Sequence, residues 1–429
     1  MTAGPRRSTL ITLAVCCMLI LSSPVPAGTT FGIYDARTLG MGGVAVASAN
    51  TDNAQFYNSA LLAFNEEIEE QTRDSRFLFP LFVPQLAEST IDIGKLAFDD
   101  PSESITRAIS DFNAMPDART AQAVIDVTGN LAATLTSVDG EDVFADIYAG
   151  LALSEPGKFQ GAGFFLGRRV IAGGRSNVAA ADRVLLADYQ EGLAFIASGG
   201  TQGAAHPELF DANGALIDPG NDLDSTVDAV GVVITEVGVA MSRQFRFFGY
   251  PIAAGISFKW LDIYTFEDVE RFVDDRPRTD QRSESDAAVN FDVGLAKEFG
   301  DHWRVGFAVK DIVPHNHATS LGTDIRFRPR PRIGAAYQAG RLQIAADADL
   351  IPNESLGIER STQEVAVGGE WKFDSPVKLR AGYRHDIEGN RDGMLSIGIG
   401  ALWKRFAVDL AYAKGRDARS AALQFGIAF

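Results

Sequence analysis

Residues 421–429 read AALQFGIAF, with apolar side chains at Leu423, Phe425, Ile427 and Phe429 and small or polar residues between them. A period of two residues is the pattern of a β-strand with one apolar face. A terminal strand whose apolar face met water would favour aggregation. We therefore expect this face to be covered by protein or dissolved in lipid.

The same alternation recurs along the chain from about residue 229. Residues 376–386, PVKLRAGYRHD, place Val377 on one face and Lys378 and Arg380 on the other. A further apolar segment at 182–197 would disturb the order of short and long connections, so we assign it to a long outer loop. An even number of strands is expected for a bacterial barrel. The pattern predicts fourteen strands, at approximately 75–84, 145–153, 160–172, 229–242, 252–266, 286–299, 303–312, 330–339, 341–350, 362–373, 376–386, 392–403, 405–414 and 418–429.

Aromatic residues and connection lengths favour a membrane barrel over a soluble sandwich. Aromatic rings fall near the segment ends on the apolar face, as membrane interfaces select. Short links such as 300–301 alternate with long ones such as 267–285. The sequence therefore predicts an all-β fold, an antiparallel transmembrane β-barrel at residues 73–429 with long outer loops at 173–228 and 267–285. The aromatic residues are Trp260, Phe299, Trp303, Tyr337, Trp371, Phe373, Trp403 and Phe429.

The first 27 residues have the pattern of a cleaved signal peptide. Arg6 and Arg7 precede an apolar run at 10–21, and Ala27 offers a cleavage site. The run is shorter than the roughly 20 residues of a spanning helix. We expect residues 1–27 to direct export to the outer membrane of a Gram-negative bacterium. Both cysteines lie in this segment, so the mature chain would contain none.

Charge and motifs exclude several function classes. The chain carries 39 basic and 56 acidic residues, a net charge of −17 that argues against direct nucleic-acid binding. The glycines of GMGG (40–43) and GAGFFLG (161–167) lack the Lys-Ser/Thr of a phosphate-binding loop. His315 and His317 lack a third ligand at a recognisable spacing, and we expect a solvated loop there. The sequence predicts no enzyme activity, cofactor or metal.

Residues 85–144 predict a helical insertion in the barrel. Asp100, Pro101 and Glu103 resemble a helix start with a capping box, ahead of apolar residues on one face. A second helix is expected after Pro116 and before Gly140. Because the pair lies between two wall strands, we expect it on the outer surface or in the barrel mouth.

The inward-facing side chains of the predicted strands carry charges of both signs. One interpretation is a cross-strand ionic network that fills the lumen and pins a plug, and the other is a polar permeation path. Charges withdrawn from water must be paired, which favours the network. Its predicted members are Asp347, Asp349, Glu364, Glu370, Lys378, Arg380, Arg384 and Asp409, with Lys259, Asp292, Glu298, Arg304, Lys310 and Arg332 on the same face.

Two resemblances extend this interpretation. Residues 31–64, FGIYDARTLGMGGVAVASANTDNAQFYNSALLAF, are similar to the segment that opens FadL-type outer-membrane transporters. Together with ITEVGVAMSR (234–243), FDVGLAKEFGDHWRVGFAVKDIVP (291–314) and LRAGYRHDIEG (379–389), they make the chain resemble the TraF-like family of plasmid-transfer proteins.

The resemblance implies that residues 28–72 form a hatch inside a fourteen-stranded barrel. We expect Asp35 and Arg37, with Asp52, to pair with the wall. Ser59 stands where the family usually has proline. Because serine does not restrict the backbone as proline does, we expect a looser hatch here. The hatch motif residues are Asp35, Arg37, Gly40, Gly42, Gly43 and Asn58.

The function implied by the resemblance is a plugged channel or passive transporter of small hydrophobic solutes, with a link to conjugal transfer in some members. The alternative is a structural or docking component of a cell-surface or DNA-transfer apparatus that transports nothing. Expected partners are outer-membrane lipid and lipopolysaccharide, a small hydrophobic solute and the barrel assembly machinery. Phe429 resembles the C-terminal aromatic signal that this machinery reads.

Overall fold

The computed structural model describes residues 30–64, 76–99, 101–247, 249–271, 283–319, 323–353 and 361–429. The helices are α1 (Ala36–Gly40), α2 (Glu88–Asp99), α3 (Pro101–Ala114), α4 (Ala118–Val138) and α5 (Ala180–Ala197), with short 3-10 helices at Ala54–Phe56, Ser59–Ala63, Pro207–Leu209 and Pro219–Asn221. The strands are β1 (Arg76–Ala87), β2 (Asp142–Glu155), β3 (Gln160–Asn177), β4 (Thr226–Phe247), β5 (Tyr250–Arg271), β6 (Ser283–Phe299), β7 (Trp303–Lys310), β8 (His315–Ala318), β9 (Asp324–Phe327), β10 (Arg330–Ala339), β11 (Leu342–Asp349), β12 (Glu364–Lys372), β13 (Val377–Asp386), β14 (Met394–Trp403), β15 (Phe406–Lys414) and β16 (Ala418–Ala428). The predicted signal peptide and the predicted helix cap at Asp100 lie outside the described residues.

Fourteen of the described strands form one closed antiparallel barrel, β1 to β7 and β10 to β16. The ring closes between β1 and β16, where Arg76 lies opposite Ala428. Every other neighbour in the ring follows chain order, with β7 pairing β10 across the excursion that holds β8 and β9. The predicted fold class is confirmed, and each predicted segment overlaps one wall strand.

The two faces of the wall follow the alternation in the sequence. In β16, the side chains of Phe425 and Ile427 are 40% and 41% exposed, whereas that of Gln424 is 3% exposed and faces the lumen. Exposed aromatic residues gather where short turns join the strands, the short-turn rim, and include Tyr250, Trp303 and Trp403. Among the described residues, no helix has the length and hydropathy needed to cross a membrane.

The wall is tallest at β3, β4 and β5, which are 18, 22 and 22 residues long. β4 and β5 pair over their full length, from Phe247 opposite Tyr250 to Thr226 opposite Arg271. Strand pairing thus continues into both segments predicted as long loops. Residues 178–225 form the first connection, and residues 272–282 of the second lie outside the described chain.

Helices α2, α3 and α4 follow β1, and α5 follows β3, all on the long-loop rim. Their apolar faces share a core that includes Phe112, Val124, Leu131 and Leu193. The segment 182–197 is therefore a helix in an outer connection, because its apolar residues pack at helical spacing. The helical insertion includes α2, which lies within the predicted range 85–144 but before the helix start expected at Asp100.

The connection between β7 and β10 folds as the β8–β9 hairpin. His317 of β8 is 7% exposed, and Ile325 and Phe327 of β9 pack against inward-facing wall residues. The prediction of a solvated loop at His315 and His317 is therefore wrong for His317. The alternation of a four-residue strand is too short to separate from a loop in the sequence.

Candidate functional site

Residues 31–63 occupy the lumen as a hatch, with nearly all of their side chains buried. Helix α1 contacts β13 to β16, whereas the 3-10 helix Ser59–Ala63 contacts β3 to β6. These two groups of strands lie on opposite sides of the ring. The hatch therefore crosses the lumen from one side of the wall to the other.

Asp35 joins two parts of the hatch to each other. It is the N-cap of α1, and its Oδ1 accepts the Thr38 N–H at 3.0 Å. Its Oδ2 accepts the hydroxyl of Tyr57 at 2.6 Å. The expected pairing of Asp35 with the wall is not what the structure shows, because the fold of the hatch returns Tyr57 to the start of α1.

Arg37 does pair with the wall. Its Nε lies 3.1 Å from Oε2 of Glu370 in β12, and its Nη2 donates to Gln343 at 2.6 Å. The same Glu370 oxygen accepts from Arg380 of β13 at 2.7 Å, and Arg380 donates to Asp409 of β15 at 2.6 Å. Two cations and two anions thus alternate in one buried chain, which offsets the cost of withdrawing them from water.

Glycines allow the hatch backbone to lie directly on the wall. A Cβ on Gly42, whose φ is +73°, would lie 2.6 Å from the backbone nitrogen of Tyr383. A Cβ on Gly40 would lie 3.0 Å from Cα of Gly398. Gly43 has a φ of +96°, which favours glycine by conformation rather than by space.

Asn58 links two parts of the hatch to the wall. Its Nδ2 donates to the carbonyl oxygens of Val46 at 2.8 Å and Leu295 at 3.1 Å. Its Oδ1 accepts the Ala60 N–H at 3.2 Å, which begins the 3-10 helix. Ser59 is only 4% exposed, so its neighbourhood is closely packed despite the missing proline.

Asp347 of β11 binds the hatch through the backbone. Its Oδ2 accepts the N–H groups of Ala45 at 2.7 Å and Val46 at 2.9 Å. Arg332 lies beside it, with Nε 3.9 Å from Asp347 and 3.5 Å from Asp349. Asp347 thus fixes the position of the hatch backbone at Ala45 and Val46 against β11.

The remaining predicted members of the network occupy the same lumen in a different arrangement. Glu364 lies 3.5 Å from Arg384, which also donates to Gln85 of β1 at 2.9 Å. Lys378 and Asp52 instead line a cavity of about 290 Å³ at the short-turn rim. The predicted residues therefore fall into several separate groups rather than one continuous network.

A further ionic group lies toward the long-loop rim. Lys259 of β5 is fully buried, 2.9 Å from Asp292, and also pairs with Asp311 in the turn after β7. Arg330 binds the other oxygen of Asp311. Lys259 and Asp292 were predicted to face inward, whereas Asp311 was missed because it lies in a turn with a φ of +52° and follows no strand pattern.

Arg169 and Asp146 form another inward-facing pair, with bonds of 2.7 and 2.8 Å between β3 and β2. Arg169 also donates to Thr30 at the start of the hatch. The strand alternation of 160–172 places Arg169 on the same face as Phe165, so this pair could have been found from the sequence.

Beyond these ionic groups, toward the long-loop rim, the lumen is apolar. Ile171, Ile234, Leu261 and Ile263 turn inward from β3, β4 and β5, and the β8–β9 hairpin packs against this wall. We call this cluster the apolar mouth. Its members are Ala87, Phe144, Ile171, Val232, Ile234, Leu261, Ile263, Ala288, Ile325 and Phe327.

Polar contacts hold the hairpin over the apolar mouth. Thr323 donates to Glu267 of β5 at 2.9 Å, and Asn290 of β6 donates to the Val313 carbonyl at 2.9 Å. Burial lowers the pKa of His317, although Asp286 at 3.4 Å opposes that effect. The ring of His317 packs edge-on against the ring of Phe327.

These features define a closed antiparallel barrel of the membrane type whose lumen is filled by its own N-terminal segment and covered by an inward-folded hairpin. The family model described as "F plasmid transfer operon, TraF, protein" matches residues 55–349. The chain belongs to this family. No curated protein sequence matches the chain.

Solved structures share the barrel. The TodX deltaS2S3 mutant monoaromatic hydrocarbon channel has a TM-score of 0.51 at 11% identity, over 92% of this chain and 99% of that one. The Pseudomonas putida toluene transporter TodX has a TM-score of 0.45 at 10% identity, over 95% and 100%. A Pseudomonas aeruginosa FadL homologue has a TM-score of 0.47 at 11% identity, over 93% and 99%. At 11% identity the likeness to the first of these structures extends to the fold alone.

Proposed function

We propose that the chain is a passive outer-membrane channel for small hydrophobic solutes, closed by the hatch in the conformation described. The apolar mouth is the observation that supports this proposal. A channel for hydrophilic solutes has a polar interior, whereas here Leu261 and Ile263 turn apolar side chains toward the lumen. An apolar solute that replaced the β8–β9 hairpin would keep these side chains out of water.

The layers below the mouth favour exit through the wall over passage through the hatch. The Lys259–Asp292 and Arg37–Glu370 ion pairs lie in the lumen below the mouth, so an apolar solute that descended would have to pass buried charges. In β1, Pro80 and Pro84 cannot donate to the sheet ladder, and the register shifts between Leu78 and Leu81. The ladder is therefore irregular at β1, which fits the lateral route that the FadL resemblance implies.

The solved structures support the same class of solute. The proteins that share the fold are described as a monoaromatic hydrocarbon channel and a toluene transporter. They support a small, apolar solute for the proposed channel. Lipid and lipopolysaccharide would surround the apolar outer face, and the barrel assembly machinery would insert it.

Uptake of labelled toluene by Gram-negative cells that express the full chain tests the proposal. We expect uptake above the empty-vector level and no gain for a sugar of similar size, because the ionic layers stay closed. Ile263→Asn should reduce toluene uptake by polarising the mouth. Asp262→Asn, at the adjacent outward-facing position, is the matched control and should leave uptake unchanged.

Heat-modifiable gel mobility would show that each variant is assembled. An assembled wild-type barrel without gain in toluene uptake would contradict the proposal. Equal uptake by Ile263→Asn and wild type would show that the apolar mouth has no part in it.

A second candidate function is docking in a surface or DNA-transfer apparatus. The helices α2 to α5 have their own apolar core above the barrel, which a channel alone does not require. The family description also names a transfer operon. If docking is the function, deletion of the gene should lower conjugation frequency while toluene uptake is unchanged.

A further inference from the structure

The long-loop rim carries a cluster of metal-binding side chains apart from the lumen. Asp188 lies on α5, and His206 and Glu208 lie in the connection that follows this helix. One ligand atom from each of the three residues lies within 4.8 Å of the other two. Neither the barrel nor the proposed channel function uses this cluster.

The two ring nitrogens of His206 face different carboxylates. Nδ1 lies 2.9 Å from Oε1 of Glu208 and 3.7 Å from Oδ1 of Asp188. Nε2 lies 3.6 Å from Oε2 of Glu191, one helical turn along α5 from Asp188. A histidine that binds a metal through one nitrogen commonly donates its other N–H to a carboxylate. Glu191 is in the place of that orienting group.

Close packing fixes the separation of the two segments. A Cβ on Gly192 would lie 3.4 Å from the Cβ of His206 and 3.3 Å from Leu209. Leu209 and Leu193 are buried in the helical core, one from each segment. The donor groups are therefore held close together by the fold itself, independently of any attraction between the side chains.

We propose that Asp188, His206 and Glu208 bind one transition-metal ion, preferably Zn²⁺, with Glu191 orienting the imidazole. Ligands at about 2.0–2.2 Å from tetrahedral zinc are roughly 3.3–3.6 Å apart, and the separations at Nδ1 are 2.9 and 3.7 Å. An imidazole donor favours zinc over Ca²⁺ or Mg²⁺, which prefer oxygen ligands. The ion would clamp residues 206–209 to α5.

Titration calorimetry with Zn²⁺ on the full mature chain in detergent, made metal-free and kept free of lipopolysaccharide, tests the proposal. We expect one site, with at least tenfold weaker binding in His206→Ala and in Glu208→Gln. Glu208 is largely exposed, so its substitution should leave the fold intact. His302→Ala, at the short-turn rim, is the matched control and should bind zinc as wild type does.

Two further measurements distinguish a defined metal site from nonspecific binding of cations to acidic side chains. Co²⁺ should give the visible absorption of a tetrahedral site, and Glu191→Gln should weaken binding. Unchanged zinc affinity in His206→Ala would overturn the proposal. Calcium binding as tight as zinc binding, and independent of His206, would overturn it as well.

Discussion

Arg37 of the hatch and Glu370 of β12 are 333 residues apart in the chain and form a buried ion pair of 3.1 Å. Both side chains are at most 3% exposed. The pair therefore joins the N-terminal segment to the wall in a place where neither charge can be solvated as it would be in bulk water. Loss of the pair should therefore destabilise the whole fold.

Arg37→Gln tests that coupling. Removing one partner of a buried ion pair leaves an uncompensated charge, so we expect the free energy of unfolding to fall by about 3–5 kcal/mol. Chemical denaturation in detergent micelles measures it. Arg341→Gln is the control, because its pair with Asp374 is exposed and should contribute roughly 0–1 kcal/mol. Equal losses in both variants would contradict the coupling.

Gly382→Ala should displace the hatch without altering the outer face of the wall. The added Cβ would lie 2.2 Å from the backbone carbon of Met41, so the hatch backbone must move. Limited proteolysis within residues 30–64 and conductance in planar bilayers should both increase. Gly369→Ala, which points outward and meets an atom only at 3.3 Å, should change neither. A protected hatch in Gly382→Ala would refute this account.

Asp182→Ala should destabilise the helical insertion. This buried carboxylate accepts the N–H groups of Ser225 at 2.7 Å and Asp224 at 3.0 Å. Leaving buried donors without a partner costs about 1–3 kcal/mol. Hydrogen exchange in α5 should accelerate accordingly. Asp126→Ala removes an exposed carboxylate and should have no such effect, and similar exchange in the two variants would count against the prediction.

Acidification should release the β8–β9 hairpin. Burial lowers the pKa of His317 below its usual 6.5, so the docked hairpin binds fewer protons than the released one. Docking is thus fully favourable above about pH 6.5 and is lost as the pH falls through the lowered pKa. Asp286 and His315 are the other titratable groups that act on this ring.

Hydrogen exchange of residues 315–327 as a function of pH measures the release. His317→Phe keeps an aromatic ring against Phe327 without a titrating group, and its hairpin should stay protected at acid pH. A wild-type hairpin with the same pH profile as His317→Phe would exclude His317 as the cause.

The barrel could be predicted from sequence because each wall residue faces either lipid or the lumen. In the sequence this division appears as apolar and polar residues at alternate positions, as Phe425 and Gln424 show. The pattern ends where both faces of a strand become polar, and so the sequence underestimated the height of β4 and β5. It also could not separate the short strand at His315 from a loop.

The partners of inward-facing charges could be predicted only in part. Arg380 and Asp409 lie on neighbouring inward-facing positions, two strands apart, and their direction follows from alternation. Asp35 binds Tyr57 because of the path of the hatch, which no local pattern records. The approach of His206 to Asp188 likewise follows no local pattern, since it arises only through the packing of the connection on α5.

Because the two ends of the hatch attach to opposite sides of the ring, this segment acts as an internal strut. A cylinder of strands is soft toward flattening, and a strut across its diameter resists that deformation. A change in the cross-section of the wall would therefore act on the contacts of α1 at one side and on those of Ser59–Ala63 at the other. The cross-section of the barrel and the position of the hatch are thus coupled.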